Sequence, residues 1–132
     1  MHFRKLRVLL VEDYAPTRQI LGRMLSKDGH EVYDTSTGAV AFEKAQRQQF
    51  DLLICDIGLP DTTGWDLFEK LAIHQPHIRA IALSGYAFPT DIERSIKAGF
   101  AVHLKKPAEW STIKSAIQTL FPVHNDQSPK LA

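Results

Sequence analysis

Six polar residues in this sequence share one peculiarity: each closes or follows a short apolar run. Glu12-Asp13 come after V-L-L-V, Asp56 ends L-L-I-C-D, Ser84 ends I-A-L-S, and Lys105-Lys106 end the run that opens at Val102, just before Pro107. An unpaired charge in an apolar core is costly, so each group must emerge at the tip of its element or meet a partner. Asp56 poses the problem most sharply, because a Gly58-x-Pro60-x-x-x-Gly64 segment turns the chain directly after it. If the tips converge, three carboxylates share a small volume, and a pair about 5 Å apart repels by roughly 3 kcal/mol at an effective dielectric near 20. Such a cluster wants a cation, and all-oxygen ligation selects a hard one, Mg2+ above all. A lysine and a hydroxyl beside it complete a constellation for a phosphoryl group. Lys106 would neutralise charge on that group, and Ser84 would donate a hydrogen bond to one of its oxygens. The deepest carboxylate can itself be the nucleophile and become an aspartyl phosphate, and Asp56 is the candidate for that role. The glycines after it let the backbone approach the metal closely.

These tips need a scaffold. Short apolar runs alternate five times with segments of helical spacing, and strands are predicted over Arg7–Glu12, Glu31–Thr35, Leu52–Asp56, Arg79–Ser84 and Val102–Lys105. Runs such as V-L-L-V lack polar alternation, as parallel strands covered on both faces do. Between them, Ile20, Leu21, Met24 and Leu25 share one helical face, as do Leu67, Phe68 and Leu71, Ile92 and Ile96, and Trp110, Ile113, Ile117 and Leu120. Pro16 suits a first helical turn, and Gly29 and Gly99 suit helix stops. The pattern reads (βα)5, a doubly wound α/β sheet with right-handed crossovers. With strand order 2-1-3-4-5, the functional crevice opens outside the carboxyl ends of strands one and three, where the acids would meet.

The chain's 132 residues suffice for one domain with a core of its own. Residues 1–122 are the expected domain, and the polar, aperiodic segment 123–132 is the expected disordered tail. Sixteen basic and fifteen acidic residues leave a net charge of +1, with Arg4, Lys5 and Arg7 read as a solvated end. That balance offers no electrostatic footprint for nucleic acid. Cys55 is the only cysteine, so neither an internal disulfide nor a cysteine zinc site is expected. Its apolar neighbours mark it as an inert core thiol. No stretch approaches the ~18 apolar residues of a membrane helix, and no signal peptide leads into the first strand. The expected setting is reducing and cytoplasmic, without a membrane partner.

The motifs V-L-L-V-E-D (Val8–Asp13), D-I-G-L-P-D-T-T-G (Asp56–Gly64), A-L-S-G (Ala82–Gly85) and K-P (Lys106-Pro107) occur in this order at a specific spacing. Together they closely resemble the receiver domain of two-component response regulators, of the chemotaxis-regulator-like kind, over about Leu6 to Phe121. The resemblance implies a flavodoxin-like fold and Mg2+-dependent transfer of a phosphoryl group onto Asp56. The donor would be the histidine of a kinase or of a histidine phosphotransfer domain. It implies that Glu12, Asp13 and Asp56 bind the metal with the backbone carbonyl of Gly58. Ser84 would read the phosphoryl group, Lys106 would pair with it, and the Lys106-Pro107 peptide would be cis. It also implies a signalling protein, not a turnover enzyme, whose downstream partner meets a face of helix four, strand five and helix five.

Two positions depart from the family pattern. His103 stands where a Tyr or Phe most often serves as a rotating switch residue working with Ser84, and Ala108 stands where Phe commonly follows Lys-Pro. The segment A-G-F-A-V-H-L-K-K-P resembles receiver segments of hybrid sensor histidine kinases. The expected context is therefore a hybrid kinase or larger regulator, with a stand-alone single-domain regulator as the alternative.

Other classes fit less well. An aspartate-nucleophile phosphohydrolase of the haloacid-dehalogenase type needs a second acid two residues after the nucleophile, and Gly58 holds that position. The missing general acid favours a lasting phosphoaspartate over turnover. A pseudo-receiver that only binds proteins usually lacks a site residue, whereas all the roles are filled here. Neither G-x-G-x-x-G nor G-x-x-x-x-G-K-[ST] occurs. Lys105 reads as a solvated neighbour, and His74 and His77, flanking Pro76, as loop residues. Asp61, Thr62 and Thr63 read as loop and cap of the third helix, with Thr63 the N-cap. Tyr86 and Phe88 read as loop residues, and Trp110 as core.

Overall fold

A computed structural model describes residues 4–85 and 88–122. Five strands and five helices alternate: β1 (Arg7–Val11), α1 (Ala15–Lys27), β2 (Glu31–Thr35), α2 (Gly38–Arg47), β3 (Leu52–Asp56), α3 (Gly64–His74), β4 (Arg79–Ser84), α4 (Pro89–Ala98), β5 (Val102–Lys105) and α5 (Trp110–Leu120). All strand pairs are parallel, in the order β2-β1-β3-β4-β5. This is the doubly wound, flavodoxin-like arrangement the alternation predicts. Four strands begin and end where the apolar runs place them. β1 stops at Val11, one residue short of the predicted Glu12, although the Glu12 N–H still donates to the Thr35 carbonyl at 3.0 Å. Tyr86 and the predicted tail 123–132 lie outside the described residues.

The strands are apolar on both sides because two helical layers cover them. Val8, Leu10, Leu52, Ile54, Ile81 and Leu83 face Leu21, Leu25, Ile113 and Ile117 of α1 and α5. The alternate positions, Leu9, Val11, Leu53, Cys55, Ala80 and Ala82, face Ala41, Leu67, Phe68 and Leu71 of α2 and α3. Burial of apolar side chains, each contributing about 1.5–3 kcal/mol, drives this sandwich together. Among the described residues, no helix is long and apolar enough to cross a membrane.

Helix ends follow the punctuation. Pro16 lies in the first turn of α1, and Thr63 caps α3 by accepting from the Asp66 N–H at 3.1 Å. Gly29 and Gly99 adopt φ of 97° and 106°, the left-handed region where a side chain is strained. His74 and His77 are exposed, and Trp110 is half-buried against the α1/α5 core.

Two helical faces differ from the expectation. Ile20 is 60% exposed, and on α4 Ile92 and Ile96 point outward, the latter 65% exposed. α4 instead buries Ser95 and Ala98, whose small side chains let the helix settle close to α3 and β5. Ile92 and Ile96 are thereby turned to the outside.

The turn after β3 depends on close backbone approach. A Cβ on Gly64 would lie 2.7 Å from the Asp56 carbonyl oxygen and 3.0 Å from the Ile57 Cα, backbone atoms that do not readily yield. Gly64→Ala is expected to destabilise the domain by about 1–3 kcal/mol, the usual cost of overpacking. Urea denaturation measures this, and an unchanged midpoint would show that the turn is looser than this packing.

Candidate functional site

At the carboxyl edge of the sheet, Glu12 follows β1, Asp56 ends β3, Ser84 ends β4 and Lys106 follows β5. Backbone hydrogen bonds carry the sheet's spacing past the strand ends. The Ile57 N–H donates to the Leu83 carbonyl at 2.9 Å, and the Lys106 N–H to the Ser84 carbonyl at 2.7 Å. Lys106 Nζ consequently lies 3.0 Å from Asp56 Oδ2, a hydrogen bond, and 2.6 Å from Glu12 Oε1 in an ion pair. Glu12 is 0% exposed and Asp56 7%, while Asp13 is exposed at the rim. The Gly58 N–H donates to Asp56 Oδ1 at 3.3 Å, and the Tyr14 N–H to Glu12 Oε2 at 3.0 Å. Arg18 braces the loop after β1 by donating to the carbonyls of Glu12 at 2.8 Å and Asp13 at 3.4 Å. The Lys106-Pro107 peptide is cis, and Lys105 is exposed.

Charge in the pocket is only partly balanced. Burial pushes the Asp56 carboxyl up to about 6, with the Lys106 hydrogen bond opposing the rise and the Glu12 charge adding to it. Burial alone would lower the Lys106 ammonium, but hydrogen bonds and charges from Glu12 and Asp56 outweigh it and hold it above its usual value. Cys55 beneath the site is buried, and burial foremost, then the Asp56 charge, raises its thiol well above the usual range. It is the inert core thiol expected.

One oxygen from each of Glu12, Asp13 and Asp56 lies within 4.8 Å of the others. Glu12 Oε1 is wholly buried and, among the described residues, makes no hydrogen bond beyond its ionic contact with Lys106. Carboxylate oxygens, net negative charge and an oxygen with lone pairs to spare fit a hard divalent cation. The residues thus suit Mg2+.

The structure also makes connections that the sequence left silent. The Trp65 indole N–H donates to Ser95 Oγ at 2.8 Å, and Ser95 Oγ lies 2.7 Å from His103 Nδ1. An indole only donates, so Ser95 accepts there and has its own proton free for the imidazole. His103 Nε2 is buried with no hydrogen-bond partner among the described residues. The histidine is therefore tied to α3 and α4. Trp65 and Ser95 stand 30 residues apart, and no local pattern marks such a pair. Asp61 also differs from the expectation: its carboxylate caps α2 through the Gly38 and Ala39 N–H groups, at 2.9 Å each, and not α3.

Sheet order and the acids gathered at its switch point define a flavodoxin-like α/β domain of the chemotaxis-regulator-like type. The chain belongs to the response regulator receiver domain family, whose profile matches residues 8–118. It is 29% identical over 119 residues to the sensor protein EvgS of Escherichia coli (strain K12), covering 90% of this chain and 10% of that protein. It is 22% identical over 120 residues to sporulation initiation phosphotransferase F of Bacillus subtilis (strain 168), covering 91% of this chain and 97% of that protein. A CheY-like receiver domain from Methanospirillum hungatei JF-1 superposes with a TM-score of 0.84 at 26% identity, covering 98% of this chain and all (100%) of that one. Receiver domains are signalling units of two-component systems and bind Mg2+ at an acidic pocket.

Like charges at this short range destabilise the metal-free pocket. Asp13→Asn removes one, and because Asp13 is solvent-screened the expected gain in stability without Mg2+ is about 1 kcal/mol. The same variant should lose most of the thermal stabilisation that Mg2+ gives the unaltered protein. Thermal melts with and without Mg2+ test both, and a variant that melts lower without the ion contradicts the repulsion.

Proposed function

We propose that this receiver domain takes a phosphoryl group from a phosphohistidine onto Asp56. The observation that carries the proposal is the near-buried Asp56 carboxylate, held by Lys106 and the Gly58 amide beside two further acids. An Asp56 oxygen attacks phosphorus, an O–P bond forms, and the N–P bond breaks with its electron pair returning to the donor imidazole. Glu12, Asp13, Asp56 and the Gly58 carbonyl would hold Mg2+, which would supply positive charge to offset the negative charge of the phosphoryl oxygens. Lys106 supplies a second positive charge, and Ser84, at the end of β4, would donate its hydroxyl to a phosphoryl oxygen. Gly58 stands two residues after Asp56, where an aspartate-nucleophile phosphohydrolase carries its second acid, which favours a lasting phosphoaspartate that serves as a signal over an intermediate of turnover. A filled site also argues against a pseudo-receiver.

The donor must bring its imidazole to this edge. Beside Lys106, a groove of about 390 Å³ between α1 and α5, lined by Ile20, Met24, Pro107 and Trp110 among others, suits an apolar helical face of a histidine kinase or phosphotransfer domain. Phe88 (61% exposed), Ile92 and Ile96 supply apolar surface for a downstream protein on α4, beside β5 and α5. His103 and Ser84 are the proposed switch, with His103 acting on α4 through Ser95 and not as a freely rotating aromatic. Phosphorylation then shifts a two-state equilibrium of that face. A hybrid kinase or larger regulator in a cytoplasmic setting is the proposed context, and the EvgS match supports it. A stand-alone regulator is the second reading, supported by the match over 97% of phosphotransferase F.

Incubation with a small phosphodonor and Mg2+ is expected to add one phosphoryl group, located on residue 56, with none added in Asp56→Asn or after chelation. Intact-mass analysis decides this, and an unmodified protein where a control receiver is modified rejects the reading. Ser95→Ala should leave phosphorylation intact while shrinking the amide shifts on α4 that a beryllium fluoride phosphoryl mimic produces. Equal shifts in both proteins would remove His103-to-Ser95 coupling from the mechanism.

A further inference from the structure

The β3–α3 loop, residues 57–63, carries Gly58, and Asp61 fastens that loop to a helix on another part of the chain. We propose that Asp61 is a positioning residue for the metal site, clamping this loop to α2 so that the Gly58 carbonyl stays aligned with Glu12, Asp13 and Asp56. The inference rests on the reading of Gly58 as a metal ligand given above.

The clamp is bidentate. Asp61 Oδ1 accepts from the Gly38 N–H and Oδ2 from the Ala39 N–H, both at 2.9 Å, while Thr37 Oγ1 accepts from Val40 at 3.3 Å. The first three amides of α2, which no helical carbonyl can reach, are thus satisfied, two of them by a side chain from outside the helix. A carboxylate is favoured at this end of the helix dipole, and the two backbone bonds hold the Asp61 carboxyl below its usual range. Packing reports the same contact independently. A Cβ on Gly38 would lie 2.4 Å from Thr62 Cγ2, so the loop rests directly on the bare start of α2.

The loop's other end is equally constrained. Gly64 N–H donates to the Ile57 carbonyl at 2.8 Å, Leu59 N–H to the Thr62 carbonyl at 3.2 Å, and Gly58 bridges to Thr63. Base and tip are therefore anchored to different elements. On the far side of the clamp, Thr35 accepts the Glu12 N–H at 3.0 Å, and Thr37 N–H donates to Thr35 Oγ1 at 3.4 Å. A closed circuit results, running from Glu12 through Thr35, Thr37 and Gly38 to Asp61, and back along the loop to Gly58 and Asp56. Two groups of metal ligands on separate strands are set relative to each other by this circuit as well as by the sheet. Cutting it at Asp61 frees the loop tip without touching any ligand.

A mere helix cap would behave differently, since its loss would weaken α2 and leave the metal site alone. The test compares the unaltered chain, Asp61→Ala, Asp61→Asn, which keeps one acceptor oxygen, and Thr37→Ala, which removes a cap bond of α2 outside the loop. Mg2+ alone is titrated, followed by calorimetry and tryptophan fluorescence, with hydrogen exchange at Gly38 and Ala39 as a second readout. By analogy with outer-shell partners of metal ligands, Asp61→Ala should raise the Mg2+ Kd about tenfold or more, with Asp61→Asn between. Thr37→Ala should stay within about twofold of the unaltered protein, because it removes only the side-chain cap on Val40 and leaves the Thr37 backbone N–H that bonds Thr35 in place. Mg2+ should slow exchange of the Gly38 and Ala39 amides in the unaltered chain. If Asp61→Ala does not fold, Asp61→Asn alone carries the comparison. An unchanged Kd in a folded Asp61 variant, or an equal loss in Thr37→Ala, overturns the positioning role and leaves the metal site standing. No Mg2+ binding by the unaltered chain overturns both.

Discussion

Glu12 and Asp56 come to the carboxyl edge of the sheet with the ammonium of Lys106 between them, 2.6 Å from one carboxylate and 3.0 Å from the other. Burying Glu12 completely is tolerable because that cation meets one of its oxygens and the Tyr14 N–H the other. Three parts of the chain must arrive together for the contact to exist, so the ion pair and the strand order depend on each other. One ammonium does not neutralise three carboxylates, and the residual negative charge suits the pocket to a hard divalent cation, the kind of ion receiver domains bind.

Absence of bulk does as much for the site as presence of charge. Gly64 lets α3 start against the Asp56 carbonyl, Gly38 lets the β3–α3 loop lie on α2, and Ser95 lets α4 close on β5. At each of these points a small residue replaces a side chain with a backbone or hydrogen-bonded contact. The Trp65–Ser95–His103 chain shows the consequence, since three elements share one polar line through an otherwise apolar layer. Arg94, stacked over the Trp65 ring at 5.3 Å and paired with Asp66 and Glu69, covers that line from outside.

Much of the fold was legible because buried parallel strands leave a strong trace: V-L-L-V and L-L-I-C have no polar alternation, and they stop where a charge appears. The placement of the candidate site residues was legible for the same reason, since a carboxylate or lysine at the end of such a run must sit at the sheet's edge. The helices were harder. Counting apolar residues put Ile92 and Ile96 in the core, yet the buried face of α4 belongs to Ser95 and Ala98. Close packing selects small size as readily as hydrophobicity, and composition does not distinguish a small residue that packs from one that merely fills. Asp61 misled for a related reason: its local position offered a cap for α3, and a helix start 22–23 residues away in sequence took the carboxylate instead.

By itself, then, the order of residues along the chain determined which segments are buried, where each strand ends and which polar groups stand at those ends. These are consequences of transferring side chains from water, decided locally, residue by residue. Only the folded chain decided which distant groups touch: Lys106 with Glu12, Ser95 with His103, and Asp61 with the first amides of α2. Hydrogen bonds and ion pairs act over about 3 Å, and no spacing along a sequence specifies a distance that short between elements that meet only in three dimensions.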